Sequence, residues 1–81
     1  MAALFQRLVD NDLRHLTHLA RLEWLMLRDT DITDEGLVYL ASCRKLTLLD
    51  LRKTWVSVEG ANAIRQALPN CHVYSVRQRT R

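Results

Sequence analysis

The sequence predicts an α/β fold in the form of a short solenoid, built from strand-turn-helix-turn units whose strands run parallel. Three observations predict it. Shifted by 24 residues, the chain falls on itself: Leu22 on Leu46, Leu25 on Leu49, Leu27 on Leu51, Arg28 on Arg52 and Thr30 on Thr54, then Ile32 on Val56, Gly36 on Gly60 and Leu40 on Ile64. Within each unit the apolar period changes from two to three, the change from a strand to a helix. The 81 residues, 48% apolar with two glycines and one proline, make a single domain with no linker. A period near 24 that holds one strand and one helix is a solenoid repeat, because parallel neighbours need a crossover element between them.

The elements follow in chain order. Residues 1–21 hold an incomplete first copy, since Leu8, Leu13, Leu16 and Leu19 fall on Ile32, Leu37, Leu40 and Cys43. Its beginning, "ALFQRLV", reads either as an edge strand, with Met1 and Ala3 in core slots, or as an amphipathic helical cap. Residues 22–45 are a full repeat. In "LEWLML", Leu25 and Leu27 point to one face and Trp24, Met26 and Arg28 to the other; Leu37, Leu40 and Cys43 then form one helical stripe. Thr33 or Asp34 suits the N-cap, with Asp34 and Glu35 at the positive end of the helix dipole. Residues 46–67 are the second full repeat, with Val58 in place of Asp34 and Trp55 in place of Asp31, which predicts a less regular cap. Residues 68–76, "LPNCHV" onward, supply a closing strand, with Cys71 and Val73 in the inward slots at a spacing of 22 from Leu46. Residues 77–81 are a basic tail.

The pattern L-x-x-L-x-L followed by T-x-I-T-D-x-G-L-x-x-L resembles the leucine-rich repeat, in the bacterial variety with Thr rather than Asn after the strand. The resemblance covers about residues 8–76. It implies a curved stack with parallel strands on the concave face and helices on the convex face, and a scaffold that binds proteins.

Charge and composition exclude several function classes. The net charge is +3, but Arg77, Arg79 and Arg81 carry the excess, and residues 1–76 have nine basic and nine acidic side chains. A neutral body lacks the basic face that phosphate binding requires, so nucleic-acid binding through Arg28, Arg52 and the tail is the weakest of the binding readings. No apolar run approaches the roughly 18 residues of a membrane span, and "MAALFQRLVD" lacks the layout of a signal peptide; a cytoplasmic protein is expected. Cys43 and Cys71 replace leucines of sibling repeats and read as apolar filler, without paired metal-ligand spacing. His15 and His18 fall on the exposed side of the first helix. Gly36 and Gly60 recur with the repeat and serve a backbone turn or close packing. Trp55 is expected to fill a gap on the helix side. No nucleophile elbow or phosphate-cradling loop occurs, so neither an enzyme nor a cofactor is expected.

The outward slots carry what the repeat does not dictate. At the closing spacing of 22, Trp24 lies beside Leu48 and Asn70, Met26 beside Asp50 and His72, and Arg28 beside Arg52 and Tyr74. Trp24, Met26 and Leu48 make a contiguous apolar patch on a face open to water, and Trp, Tyr, Met and Arg are the types enriched at interfaces. An Asp50–His72 pair alone would lack a nucleophile and a water-excluding site. The expected function is therefore a small protein-interaction module that binds a protein partner through Trp24, Met26, Arg28, Leu48, Asp50, Arg52, His72 and Tyr74. The second reading is a capping or dimerising remnant of a longer array. A homodimer through the concave face or the N-terminal edge is expected, because an uncovered edge strand offers unpaired backbone groups.

Overall fold

The computed structural model describes residues 2–4, 8–19 and 21–75. Four three-residue strands, β1 (Ala2–Leu4), β2 (Trp24–Met26), β3 (Leu48–Asp50) and β4 (His72–Tyr74), form one parallel sheet in chain order. The crossovers are a 3-10 helix at Asp10–His18, a 3-10 turn at Asp34–Gly36 running into α1 (Leu37–Leu40), and α2 (Val58–Ala67). One core cluster joins them: Leu25, Leu49 and Val73 from the sheet meet Leu13, Leu16, Leu37, Leu40, Ala61 and Ile64 from the crossovers.

The buried positions show which side of each crossover meets the core. In a 3-10 helix residues three apart eclipse one another, and the first crossover buries Leu13 and Leu16 with Leu19 packed against the same core. The second places Leu37, Leu40 and Cys43 in the core at the same spacing and is helical for little more than two turns. In α2 the buried series Ala61, Ile64 and Leu68 steps by three and then four, the 3.6-residue period of an α-helix. His15 and His18 are exposed.

Each central strand ends in the same turn. Asp29 and Lys53, 24 residues apart, adopt left-handed backbone with φ of 64° and 57°. The following threonines, Thr30 and Thr54, are buried, and their hydroxyls donate to the carbonyls of Leu27 at 2.7 Å and Leu51 at 2.6 Å. The threonine hydroxyl bonds a strand-end carbonyl in the core, and at Leu27 the Thr30 N–H adds a second bond at 3.2 Å.

Two registers differ from the sequence reading. β4 pairs with β3 as Leu48↔His72, Leu49↔Val73 and Asp50↔Tyr74, a spacing of 24 rather than 22. Val73 therefore takes the inward slot of Leu49, Cys71 is buried ahead of the strand, and Asn70 lies outside the sheet. His72 thus neighbours Leu48 instead of Asp50, and Tyr74 neighbours Asp50 instead of Arg52. The reason is that the turn after α2, "LPN", takes up the residues that the shorter spacing assigned to the strand. At the other end the edge-strand alternative obtains for Ala2–Leu4: Ala3 pairs with Leu25, not Met1, which lies outside the described residues together with 5–7 of the alternative cap.

The helix N-termini are tied to one another across the repeats. Asp10 accepts the Thr33 N–H at 2.7 Å and also the Thr33 hydroxyl. One repeat later Asp34 accepts the Ser57 N–H at 2.8 Å and the Ser57 hydroxyl at 2.5 Å. Thr33 and Ser57 are themselves the N-caps, accepting from Glu35 N–H at 3.3 Å and Gly60 N–H at 3.0 Å. The second helix is thus regularly capped, by Ser57, despite Val58. The glycines complete the device. A Cβ on Gly36 would stand 2.5 Å from Asp10 Oδ1, and one on Gly60 would stand 2.5 Å from the Asp34 carboxyl carbon. The T-D-x-G core of the motif is therefore a ladder: a hydroxyl that caps, a carboxylate that reaches the next coil, and a glycine that leaves room for the carboxylate of the coil before.

Candidate binding face

The sheet face opposite the core is covered by no element among the described residues. Its first row is Trp24, Leu48 and His72, and its second is Met26, Asp50 and Tyr74. Alternation along each strand aims these side chains outward while Leu25, Leu49 and Val73 point into the core. Trp24 is 51% exposed, Met26 and Leu48 are half-buried, and His72 and Tyr74 are exposed. The tails of Arg28 and Glu23 thus do not bury the indole.

Asp50 is the exception, with only 6% exposure on an open face. Arg52 causes this, because its Nε and Nη2 donate to the two carboxylate oxygens at 2.9 and 2.8 Å and its backbone N–H adds a third bond at 3.1 Å. Burial alone would push the Asp50 carboxyl up. The Arg52 side-chain and backbone hydrogen bonds, with the charges of Arg52 and Arg28, outweigh it and hold the carboxyl below its ordinary value. The side-chain hydrogen bonds to Asp50 and the carboxylate charge raise the Arg52 guanidinium. The guanidinium carbon also stands 5.3 Å from the Tyr74 ring centre, and the rings of Tyr74 and His72 are 4.4 Å apart with a 51° tilt. Asp50, Arg52, Tyr74 and His72 are thus one connected chain of contacts.

Arg28 is exposed at the mouth of the β2 turn and makes no hydrogen bond among the described residues. All eight sequence-predicted site residues therefore lie on this face or at the turns that border it, in the corrected rows. Sequence reasoning missed that Asp50 and Arg52 form a bidentate pair, although a carboxylate and an arginine two positions apart at a strand end carry that signal. It also missed Arg65. This side chain reaches from α2 to the outer edge of β4, where Nη2 donates to the Val73 carbonyl and to Ser75 Oγ, each at 3.0 Å.

The other candidates have structural partners. Cys43 and Cys71 are free and buried, and burial raises both thiols. Trp55 is half-buried, and its indole N–H donates to Asp31 at 3.3 Å. A shallow groove of about 260 Å³ between α1 and α2, floored by Leu37 and Ile64, has Asp34 as its one ionisable lining group, and that carboxylate is committed to Ser57. Among the described residues no group of three or more His, Cys, Asp or Glu side chains is placed to hold a metal, and no helix is long and apolar enough to cross a membrane. The basic tail, 77–81, lies outside the described residues.

The repeats seen in the geometry are matched by comparison. No curated protein matches the chain. The model of the Leucine Rich repeat family matches residues 22–41 and 42–64, the two units that carry β2 and β3 with their turns and helices. These matches take in more than half of the chain, and they coincide with the duplicated strand, threonine turn and aspartate–glycine ladder; the chain belongs to the leucine-rich repeat family.

Proposed function

We propose that this chain is a small non-catalytic interaction module that binds a protein partner through the outer face of its sheet, the concave side of a short solenoid. The observation that carries the reading is Trp24, 51% exposed beside half-buried Leu48 and Met26 on a face covered by no other element among the described residues. Leucine-rich repeats generally mediate protein–protein interaction and are typically non-catalytic. A bacterial, cytoplasmic setting is part of the proposal, supported by the Thr-type repeat and by two free buried thiols.

Self-association belongs to the same reading, through this face or through β1. Arg65 supports β1 over β4 as the open edge, since it occupies the outward carbonyl of Val73. A capping remnant of a longer array is the second reading. It is favoured by Val58, 70% exposed in the slot where Asp10 and Asp34 hold the next coil. Replacing Trp24 and Leu48 together by serine tests the first reading: partner binding or dimer formation, followed by sedimentation, is abolished while the circular dichroism is unchanged. Unaltered association in that variant would remove this face from consideration.

A further inference from the structure

We infer that the outer face takes an extended acidic peptide, one that sets a large apolar side chain on Trp24 and Leu48 and, about four residues along, a carboxylate between Arg28 and Arg52. The inference rests on the binding-face reading and adds the chemistry of the partner. Arg52 is the first argument. Asp50 takes two of its five N–H groups, and the remaining three belong to a side chain 40% exposed. The carboxylate beneath and the Tyr74 ring beside it already fix the guanidinium plane, so little side-chain freedom remains to be lost on binding.

Arg28 is the second argument. It is exposed, and its charge is felt at Asp50, which Arg52 has already neutralised. Asp31, beyond the same turn, accepts the Trp55 indole N–H. Spacing is the third. Trp24 and Arg28 are four residues apart, roughly 13 Å in extended chain, and an extended peptide presents residues four apart on one face over the same length. A nucleic acid fits less well: two arginines neutralise a phosphate or two, on residues 1–76 whose basic and acidic side chains, these two included, balance.

The test is a selection of random linear decapeptides on the intact chain, followed by anisotropy titration of the labelled winners. Winners should carry Asp or Glu three to five positions from an aromatic or aliphatic residue. Changing that acid to its amide, or Arg28→Gln, should weaken binding about tenfold each, and the two changes together should cost no more than either alone. Winners without an acidic residue that still fail to bind the Trp24→Ser, Leu48→Ser protein overturn the partner chemistry but leave the face intact, as does affinity indifferent to Arg28→Gln. Winners that bind the double-serine protein equally well overturn the face itself. Tighter, steeply salt-dependent binding of a single-stranded thymidine dodecamer replaces the peptide with nucleic acid, and a selection that enriches nothing also counts against it.

Discussion

Replacing Gly60 with alanine should reverse the usual sign of a glycine-to-alanine change in a helix. Gly60 lies in the first turn of α2 with ordinary helical backbone, so alanine on its own would stabilise by about 1 kcal/mol. The new Cβ would stand 2.5 Å from the Asp34 carboxyl carbon and 3.0 Å from Oδ2, and closer still to Oδ1. The carboxylate must therefore swing away and release both bonds to Ser57. Charge-assisted hydrogen bonds contribute about 1.5–3 kcal/mol each when shielded; these are at the surface, where water competes, so about 1 kcal/mol each is the fitting value. The loss of about 2 exceeds the gain of about 1, and Gly60→Ala should destabilise by about 1 kcal/mol. In an Asp34→Ala background the obstacle is gone, and the same change should stabilise by about 0.5–1 kcal/mol. Urea unfolding followed by circular dichroism resolves this, because with a slope near 1 kcal/mol per molar the midpoints move by about 1 M in opposite directions. The coupling of about 2 kcal/mol stands well above the non-additivity of unconnected sites. Stabilisation by Gly60→Ala in both backgrounds would refute the ladder.

Gly36→Ala should behave differently, since its Cβ also meets Leu13 Cδ1 at 2.9 Å; removing Asp10 should relieve only part of its cost, as measured by the same unfolding cycle. Asp50 makes stability depend on acid. Its folded carboxyl lies below the unfolded value of about 3.9, so its contribution is present above that pH and is lost as pH falls through the folded value. The stability difference between wild type and Asp50→Asn should be constant from pH 7 to 5 and narrow below about pH 4; equal differences at pH 3 and pH 7 would contradict it. Arg65→Ala should expose the Val73 carbonyl on the β4 edge and increase association in sedimentation, with no increase counting against the guard role.

What could be read from the sequence was whatever repeats. Leucines at 22, 25, 27 and again at 46, 49, 51 fix strand, core face and period together, because a one-residue slip would send Leu25 or Leu49 into water. The closing strand was misplaced by two residues because Leu68 and Cys71 satisfy the same apolar pattern as Val73, and all three are in fact buried; a pattern of burial cannot separate a strand residue from a turn residue packed on the same core. The ladder was hidden for another reason. Asp10, Thr33 and Gly36 are distant in sequence, and each has a sufficient local explanation as helix starter, cap or turn, so nothing local demands the contact between coils. Asp12, at the place that Gly36 takes one repeat later, accepts the Val9 N–H at 3.0 Å.

Magnitudes limit what kind of partner the proposed face would hold. Covering the exposed half of Trp24 and the remainder of Leu48 and Met26 would contribute roughly 3 kcal/mol in all, since complete burial of a large apolar side chain is worth about 1.5–3. Bringing two molecules together costs an estimated 4–15 kcal/mol before any surplus appears as affinity. The apolar patch alone therefore cannot hold a partner. A standard interface takes about 800 Å² from each side, about a seventh of the 5431 Å² of this chain, an extent that must run beyond the patch to Tyr74 and the arginine turns. On that route Arg52 already stands fixed by Asp50 and Tyr74, with N–H groups that Asp50 does not take, and Arg28 lies exposed at the equivalent turn. A partner that wets the apolar row and leaves the arginines uncovered would bind too weakly to be detected, whereas one that spans both gains hydrogen bonds whose ordering cost Asp50 and Tyr74 have already met.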